Sequence, residues 1–257
     1  MISKNNLAAL KLSIEFFKAN YALSFAVIGV LILLSLFSYL PIIGIVFVFA
    51  YSILNLSIQI FFGRVVKNAQ NEEDVANEAA QTKINDFLTR YLAEAAGAFL
   101  GLFFIALILF FLIFILAMVF GGASFESINH FESVNQQEIF FQMVGVYFVP
   151  SIVILTIIGF LFYVLPAVFG EVFMSESFNE AFNKSFLLLK LSFWKKTFNK
   201  SYFVLILIWS IAVFVFYTLS VIISMTLILL PVALVILYIL ALYNAAIYVF
   251  ARDLLSE

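Results

Sequence analysis

Polar and apolar positions along this chain separate into long blocks. The residues between Lys18 and Arg64, 45 in a row, carry no charge, and the same holds for the 32 residues between Glu138 and Glu171 and the 51 between Lys200 and Arg252. A helix of 45 residues would be about 67 Å long at ~1.5 Å per residue, roughly twice the ~30 Å hydrocarbon layer of a bilayer, so the first run must fold back on itself. Ser38-Tyr39-Leu40-Pro41 supplies the turn, because proline is tolerated in a helix's first turn and biases the preceding residue away from helix. The same argument divides the last run in two, with a turn near Ser224 and Pro231 opening the final helix. The pattern predicts six spans, at about 21–40, 41–62, 98–120, 144–169, 202–223 and 229–250. Helices are expected because lipid cannot satisfy exposed backbone groups, and no alternating barrel pattern is present.

Between the spans the pattern changes period. Residues 4–19 carry Lys4, Lys11 and Lys18 on one helical stripe, with Leu7, Leu10, Ile14 and Phe17 on an adjacent apolar face. This reads as an interfacial helix whose apolar side sinks into the acyl boundary. Residues 83–96 repeat Ile84, Phe87, Leu88, Tyr91, Leu92 and Ala95 at spacings of three and four, predicting a second amphipathic helix. Residues 172–198 form the third. There Phe178, Phe182, Leu189 and Phe193 make an aromatic stripe, and Ala181, Ser185 and Ser192 a small-residue stripe suited to packing against a span. Glu180 and Lys184 stand at i and i+4 in the favourable order, while Lys190, Trp194, Lys195 and Lys196 mark re-entry into the membrane interface. These residues are the candidate interfacial or partner-binding connector, and simple anchorage explains them equally well.

Composition places the chain outside the soluble range, with 65% hydrophobic and 11% charged residues and a mean hydropathy of +1.17. The expected fold is therefore all-α: one polytopic integral membrane domain over residues 1–257, six transmembrane helices in three hairpins with amphipathic interfacial helices. The absence of cysteine excludes disulfides and thiolate chemistry. All thirteen Lys and Arg residues fall in the N-terminal segment, the second and fourth inter-span segments and the C-terminal tail. With six spans these share one side, so both termini are expected to be cytoplasmic.

Chemistry is sparse. The spans as drawn contain no ionisable Asp, Glu, His, Lys or Arg, which argues against acid–base catalysis, nucleophilic catalysis and a proton relay. The acids Glu72, Glu73 and Asp74 lack the ligand spacing of a calcium loop, and His130, the sole histidine, lies in a segment with Glu126, Glu132 and Glu138. No enzyme activity, cofactor, metal or nucleic acid is expected. The expected partners are a bilayer with anionic headgroups and a membrane protein partner or a second copy. Ser52, Asn55 and Gln59, spaced three and four on the second span, with Asn244 on the sixth, can line a polar pathway or serve helix packing. A weak internal repeat pairs the run from Asn55 to Arg64 with that from Asn244 to Arg252.

Leu165-Pro166, Glu171, Glu180-Ala181, Lys184-Ser185 and Leu188-Leu189 carry a family resemblance. This series resembles the proline, glutamate, Ala-x-x-x-Ser and leucine pattern of bacterial six-span inner-membrane proteins. That group includes the membrane domain of some glycerophosphodiester phosphodiesterases and related uncharacterised families. The resemblance implies a membrane part that stands beside a separate catalytic domain in the fused proteins, and so a lipid-related setting. The expected function is a non-enzymatic accessory or scaffold role in envelope or lipid homeostasis; the alternative is a small-solute transporter or channel without a proton relay.

Overall fold

A computed structural model describes residues 2–128 and 149–256, for residues 116–128, 149–150 and 227 as backbone only. His130, Glu132, Glu138 and the predicted start of the fourth span lie outside the described residues, as does the side chain of Glu126.

Among the described residues the regular structure is entirely helical. In chain order the α-helices are α1 (Asn6–Ala19), α2 (Tyr21–Phe37), α3 (Gly44–Asn68), α4 (Glu72–Gln81), α5 (Ile84–Thr89), α6 (Leu92–Ile128), α7 (Val149–Phe173), α8 (Phe178–Ser185), α9 (Leu191–Thr197), α10 (Lys200–Ser224) and α11 (Leu230–Ser256). Short 3-10 turns cover Phe186–Leu189 and Leu227–Leu229. Five helical stretches are long and apolar enough to cross a membrane, and α1 with α2, bent by 98°, makes a sixth candidate. The chain is thus a multi-pass, all-α membrane protein.

Boundaries differ from expectation where local chemistry intervenes. Pro41 does not open the second span; it lies in the turn, where Ile42 takes a left-handed φ of 67° and α3 begins only at Gly44. A β-branched residue in that region is strained by about 1–3 kcal/mol. The helix expected over 83–96 is broken, α5 stopping at Thr89 and α6 restarting at Leu92. The acids at 72–74, which lack calcium-loop spacing, open α4. Asn71 and Asp74 close a reciprocal capping box there, with both donors of the helix end satisfied. The connector expected as one helix over 172–198 is divided into α8, a 3-10 turn and α9.

The chain divides into two compact units, one of Met1–Gly101 with Leu165–Glu257 and one of Leu102–Val164. The smaller unit comprises the later part of α6 and the earlier part of α7, with Phe110 and Phe114 stacked at 6.4 Å along one face. In the larger unit α11 is the central helix. Thirteen of its residues are buried, and it packs against α1, α3 and α10.

The N-terminal helix α1 is not an interfacial anchor resting on lipid alone. Ala9, Leu12, Ser13 and Phe16 are fully buried, and the helix packs on α4 and α11. On the face expected to sink into lipid, Leu7 is exposed, Leu10 and Ile14 are half-buried and Phe17 is buried. Phe16 meets Phe62 edge-on at 5.1 Å and Phe87 at 5.4 Å, and Phe61 meets Phe87 edge-on at 5.0 Å. Each such pair adds about 0.5–1.5 kcal/mol beyond area burial. Asn20 makes the elbow to α2, its oxygen accepting from the Leu23 amide at 3.0 Å and its nitrogen donating to the carbonyls of Ala79 and Thr82 at the end of α4.

Candidate functional site

The charged residues at the ends of the long helices form a belt between helices. A helix leaves its last carbonyls without partners, and α7 ends at Phe173, two residues before Ser175. Arg64, at the charged end of α3, donates from Nε to the Phe173 carbonyl at 2.9 Å and from its guanidinium to the Ser175 carbonyl. Its positive charge there opposes the negative end of the α7 dipole. The same guanidinium lies over the Tyr91 ring at 4.2 Å, with Arg90 at 5.7 Å from that centroid.

From α11, Arg252 reaches the same end of α7, its Nε 3.3 Å from a Glu171 oxygen. The neighbouring Asp253, only 8% exposed, takes the Lys67 ammonium at 2.8 and 2.9 Å on its two oxygens. It also lies 3.9 Å from Lys4 and 3.4 Å from the guanidinium of Arg252. A single carboxylate thereby joins α3, the segment before α1, and α11. Farther along, Asn6 donates to the Leu205 carbonyl at 3.0 Å and accepts from the Tyr243 hydroxyl, holding α1 to α10 and α11.

Close backbone approach makes the belt possible. A Cβ on Gly170 would collide with the Tyr248 carbonyl and stand 2.6 Å from the Arg252 Cβ, so a glycine lets α7 and α11 meet there. Phe169 stacks on Tyr248 at 4.9 Å in the same contact.

The connector is built on the Ser-x-x-Glu signature of Ser177 and Glu180. Ser177 caps α8 by accepting from the Glu180 amide at 3.3 Å, and Glu180 accepts from the Glu176 amide at 2.7 Å and pairs with Lys184 at 2.8 Å. The Glu176 amide first, and then Lys184, hold the Glu180 carboxyl below the usual carboxylate range. A depressed carboxylate contributes stability above its unfolded value and loses it as pH falls through the folded value. The Glu180→Gln variant is thus expected to melt below wild type at neutral pH, with the difference closing as pH falls below the ordinary carboxylate range. Melting curves of both proteins from pH 7 to pH 3 check this, and a difference that does not shrink with acid would contradict the assignment.

The small face of α8 is buried as Ala181 and Ser185, whereas Ser192, expected on that stripe, is exposed because the 3-10 turn rotates α9 out of phase. Ser185 donates to the Ala181 carbonyl at 3.0 Å and lies 3.4 Å from the Ala98 carbonyl. Beneath it, Gly97 and Gly101 are spaced by four on α6, and side chains there would strike the carbonyls of Phe178 and Phe182. In the aromatic stripe, Phe178 and Phe182 stack at 6.4 Å, but Phe193 turns inward and is buried. Trp194 donates to the Leu188 carbonyl at 2.8 Å, which folds α9 back on the turn. Lys190, Lys195 and Lys196 are exposed, among the exposed apolar residues Leu189, Leu191 and Phe198.

The polar stripe of α3 is dispersed. Ser52 donates to the Val48 carbonyl of its own helix at 2.8 Å, Gln59 is buried, and Asn55 lines a cleft between helices. Asn244 is committed elsewhere, its oxygen accepting from Trp209 Nε1 at 2.8 Å across α10 and α11. Among the described residues no three His, Asp or Glu side chains cluster as metal ligands.

Sequence reasoning placed the connector but passed over Arg64, Lys67, Glu171, Arg252 and Asp253 as a group. Their one local signal is that arginines close two apolar runs. No family model matches the chain, and neither do curated proteins or solved structures.

Proposed function

We propose that the chain is a non-enzymatic accessory or scaffold component of envelope or lipid homeostasis, spanning a bacterial inner membrane six times in three hairpins with both termini cytoplasmic. The observation that carries this reading is the division of labour among the charges. Arg64, Lys67, Arg252, Glu171 and Asp253 are spent on holding α3, α7 and α11 together. The connector, by contrast, offers Lys190, Lys195 and Lys196 outward beside exposed Leu191 and Phe198. A basic and apolar surface of that kind suits anionic headgroups or a membrane protein partner. The one-sided distribution of all thirteen basic residues supports the orientation, and the resemblance to membrane domains of glycerophosphodiester phosphodiesterases supports the lipid setting.

The test is a crosslinking pulldown from native membranes. It compares wild type with a variant carrying Lys190→Gln, Lys195→Gln and Lys196→Gln, after equal insertion has been established. The expected result is a stoichiometric partner that the variant loses. Recovery of the same partners by both proteins, or of none, would reject the accessory role.

A small-solute transporter or channel without a proton relay is the second reading, favoured by the position of Asn55 in a cleft. It requires that Asn55→Leu or Gln59→Leu abolish flux in reconstituted vesicles.

A further inference from the structure

Four long helices of the larger unit, α2, α3, α10 and α11, enclose a cleft of about 480 Å3. Its position follows from the helices. Asn55 lies eleven residues from the start of α3 and thirteen from its end, or about 16 and 20 Å at ~1.5 Å per residue, and so near the middle of the span. Leu36 and Leu230 line the cleft beside the turns remote from the charged belt. The cleft therefore runs from the middle of the bundle toward the uncharged ends of the helices.

Its lining decides what can enter. None of the lining residues is Asp, Glu, Lys, Arg or His. Bringing an ion there would be strongly unfavourable, with no opposite charge to offset the lost hydration. The walls are mostly Leu and Ile, but the deep end carries the Asn55 carboxamide and the sides carry Tyr51 and Tyr217. Among the described residues Asn55 has no hydrogen-bond partner, in contrast to Asn6, Asn20 and Asn244, which bridge helices. An amide at mid-span, where water is scarce, is costly unless its donors and acceptor are met.

We propose that this cleft binds an uncharged lipophilic molecule carrying a carbonyl or hydroxyl oxygen, as isoprenoid quinones and long-chain alcohols do, with the oxygen at Asn55 and the chain against the aliphatic walls. The absence of charge excludes a phospholipid headgroup at the deep end. The amide distinguishes such a ligand from a bare acyl chain, which fills apolar volume but leaves the carboxamide unmet. This inference does not depend on the accessory role, since it concerns a surface remote from the connector.

The protein in phosphatidylcholine nanodiscs is photolabelled with a diazirine-bearing hexadecanol, and the labelled peptides are mapped by mass spectrometry. Labelling is expected within residues 28–55 and 217–241, displaced by decylubiquinone at concentrations at least tenfold below those needed of hexadecane. Asn55→Leu should remove that preference for oxygen while leaving the melting midpoint near wild type. Leu234→Trp, which fills the cleft and leaves Asn55 in place, should suppress labelling at least tenfold. Equal displacement by decylubiquinone and hexadecane would reduce the cleft to an acyl-chain groove and overturn the proposal. That comparison uses wild-type protein alone and is decisive even if a variant fails to fold. Labelling spread evenly over all the spans would also overturn it. A result against this site leaves the pulldown on the connector untouched.

Discussion

Gly97→Val is expected to release α8 from α6, accelerating tryptic cleavage after Lys184 by at least tenfold and lowering unfolding stability by about 3 kcal/mol. In an exposed helix interior, replacing glycine by a residue with a side chain usually helps, by up to ~1 kcal/mol relative to glycine. Here the opposite effect wins. A Cβ on Gly97 meets the Phe178 carbonyl, a backbone group that no rotamer change can move aside. One turn later, a Cβ on Gly101 would stand 2.7 Å from the Ser185 Cβ and 2.8 Å from the Phe182 carbonyl, so α8 cannot slide along α6 to escape. Overpacking of this kind costs about 1–3 kcal/mol for modest insertions, and valine adds two methyl groups beyond the colliding carbon. Gly29→Val is the control, since nothing lies within 4 Å of a Cβ at Gly29. Limited proteolysis and chemical unfolding in detergent compare the two, and equal behaviour would show that α8 does not seat on α6.

That contact also marks how far the sequence could be read. The uncharged runs locate the long helices, because the length of an apolar run and the thickness of a bilayer are both local quantities, although α3, α6 and α11 run on into charged sequence beyond the expected ends. The small face of α8 is legible in Ala181 and Ser185, and the spacing of Gly97 and Gly101 is a recognised packing motif. Nothing local says that the two belong together across about eighty residues. The belt was hidden for the same reason: Arg64 finds its carbonyl partners more than one hundred residues away. The helix α4 is a different case. Asn71 and Asp74 are a capping signature, and weighing them above the density of acids would have found it.

The burial of α1 shows a second face that helical periodicity alone did not bring out. Three lysines seven residues apart define a polar stripe, and any apolar residues beside it can serve as the lipid-facing side. The tertiary fold instead uses the rows of Ala9, Leu12 and Phe16, because Phe62 and Phe87 form a ready aromatic surface for Phe16. Leu10 and Ile14 are left on a shallow apolar groove against Phe216 and Ile236. Periodicity points to the helix and to one apolar side, and the neighbouring spans cover another.

Asp253→Ala is expected to destabilise the protein by about 2 kcal/mol and to loosen α1 selectively. The carboxylate accepts two short bonds from Lys67 and lies within 4 Å of Lys4 and Arg252. Hydrogen bonds to charged groups contribute about 1.5–3 kcal/mol, but Lys67 is 38% exposed and water screens part of that interaction. A value near the middle of the range follows. Arg252 keeps Glu171 in the variant, so the hold of α11 on α7 should survive. The segment before α1 loses the contact of Lys4 with Asp253, and the amides at the start of α1 should exchange with deuterium at least fivefold faster. Removing both partners, as in Lys67→Met with Asp253→Leu, should cost less than the two single changes summed, because a lone buried charge is worse than none. Additive losses, or exchange that rises equally in α1 and α7, would mean that Asp253 does not help to bind α1 to the bundle.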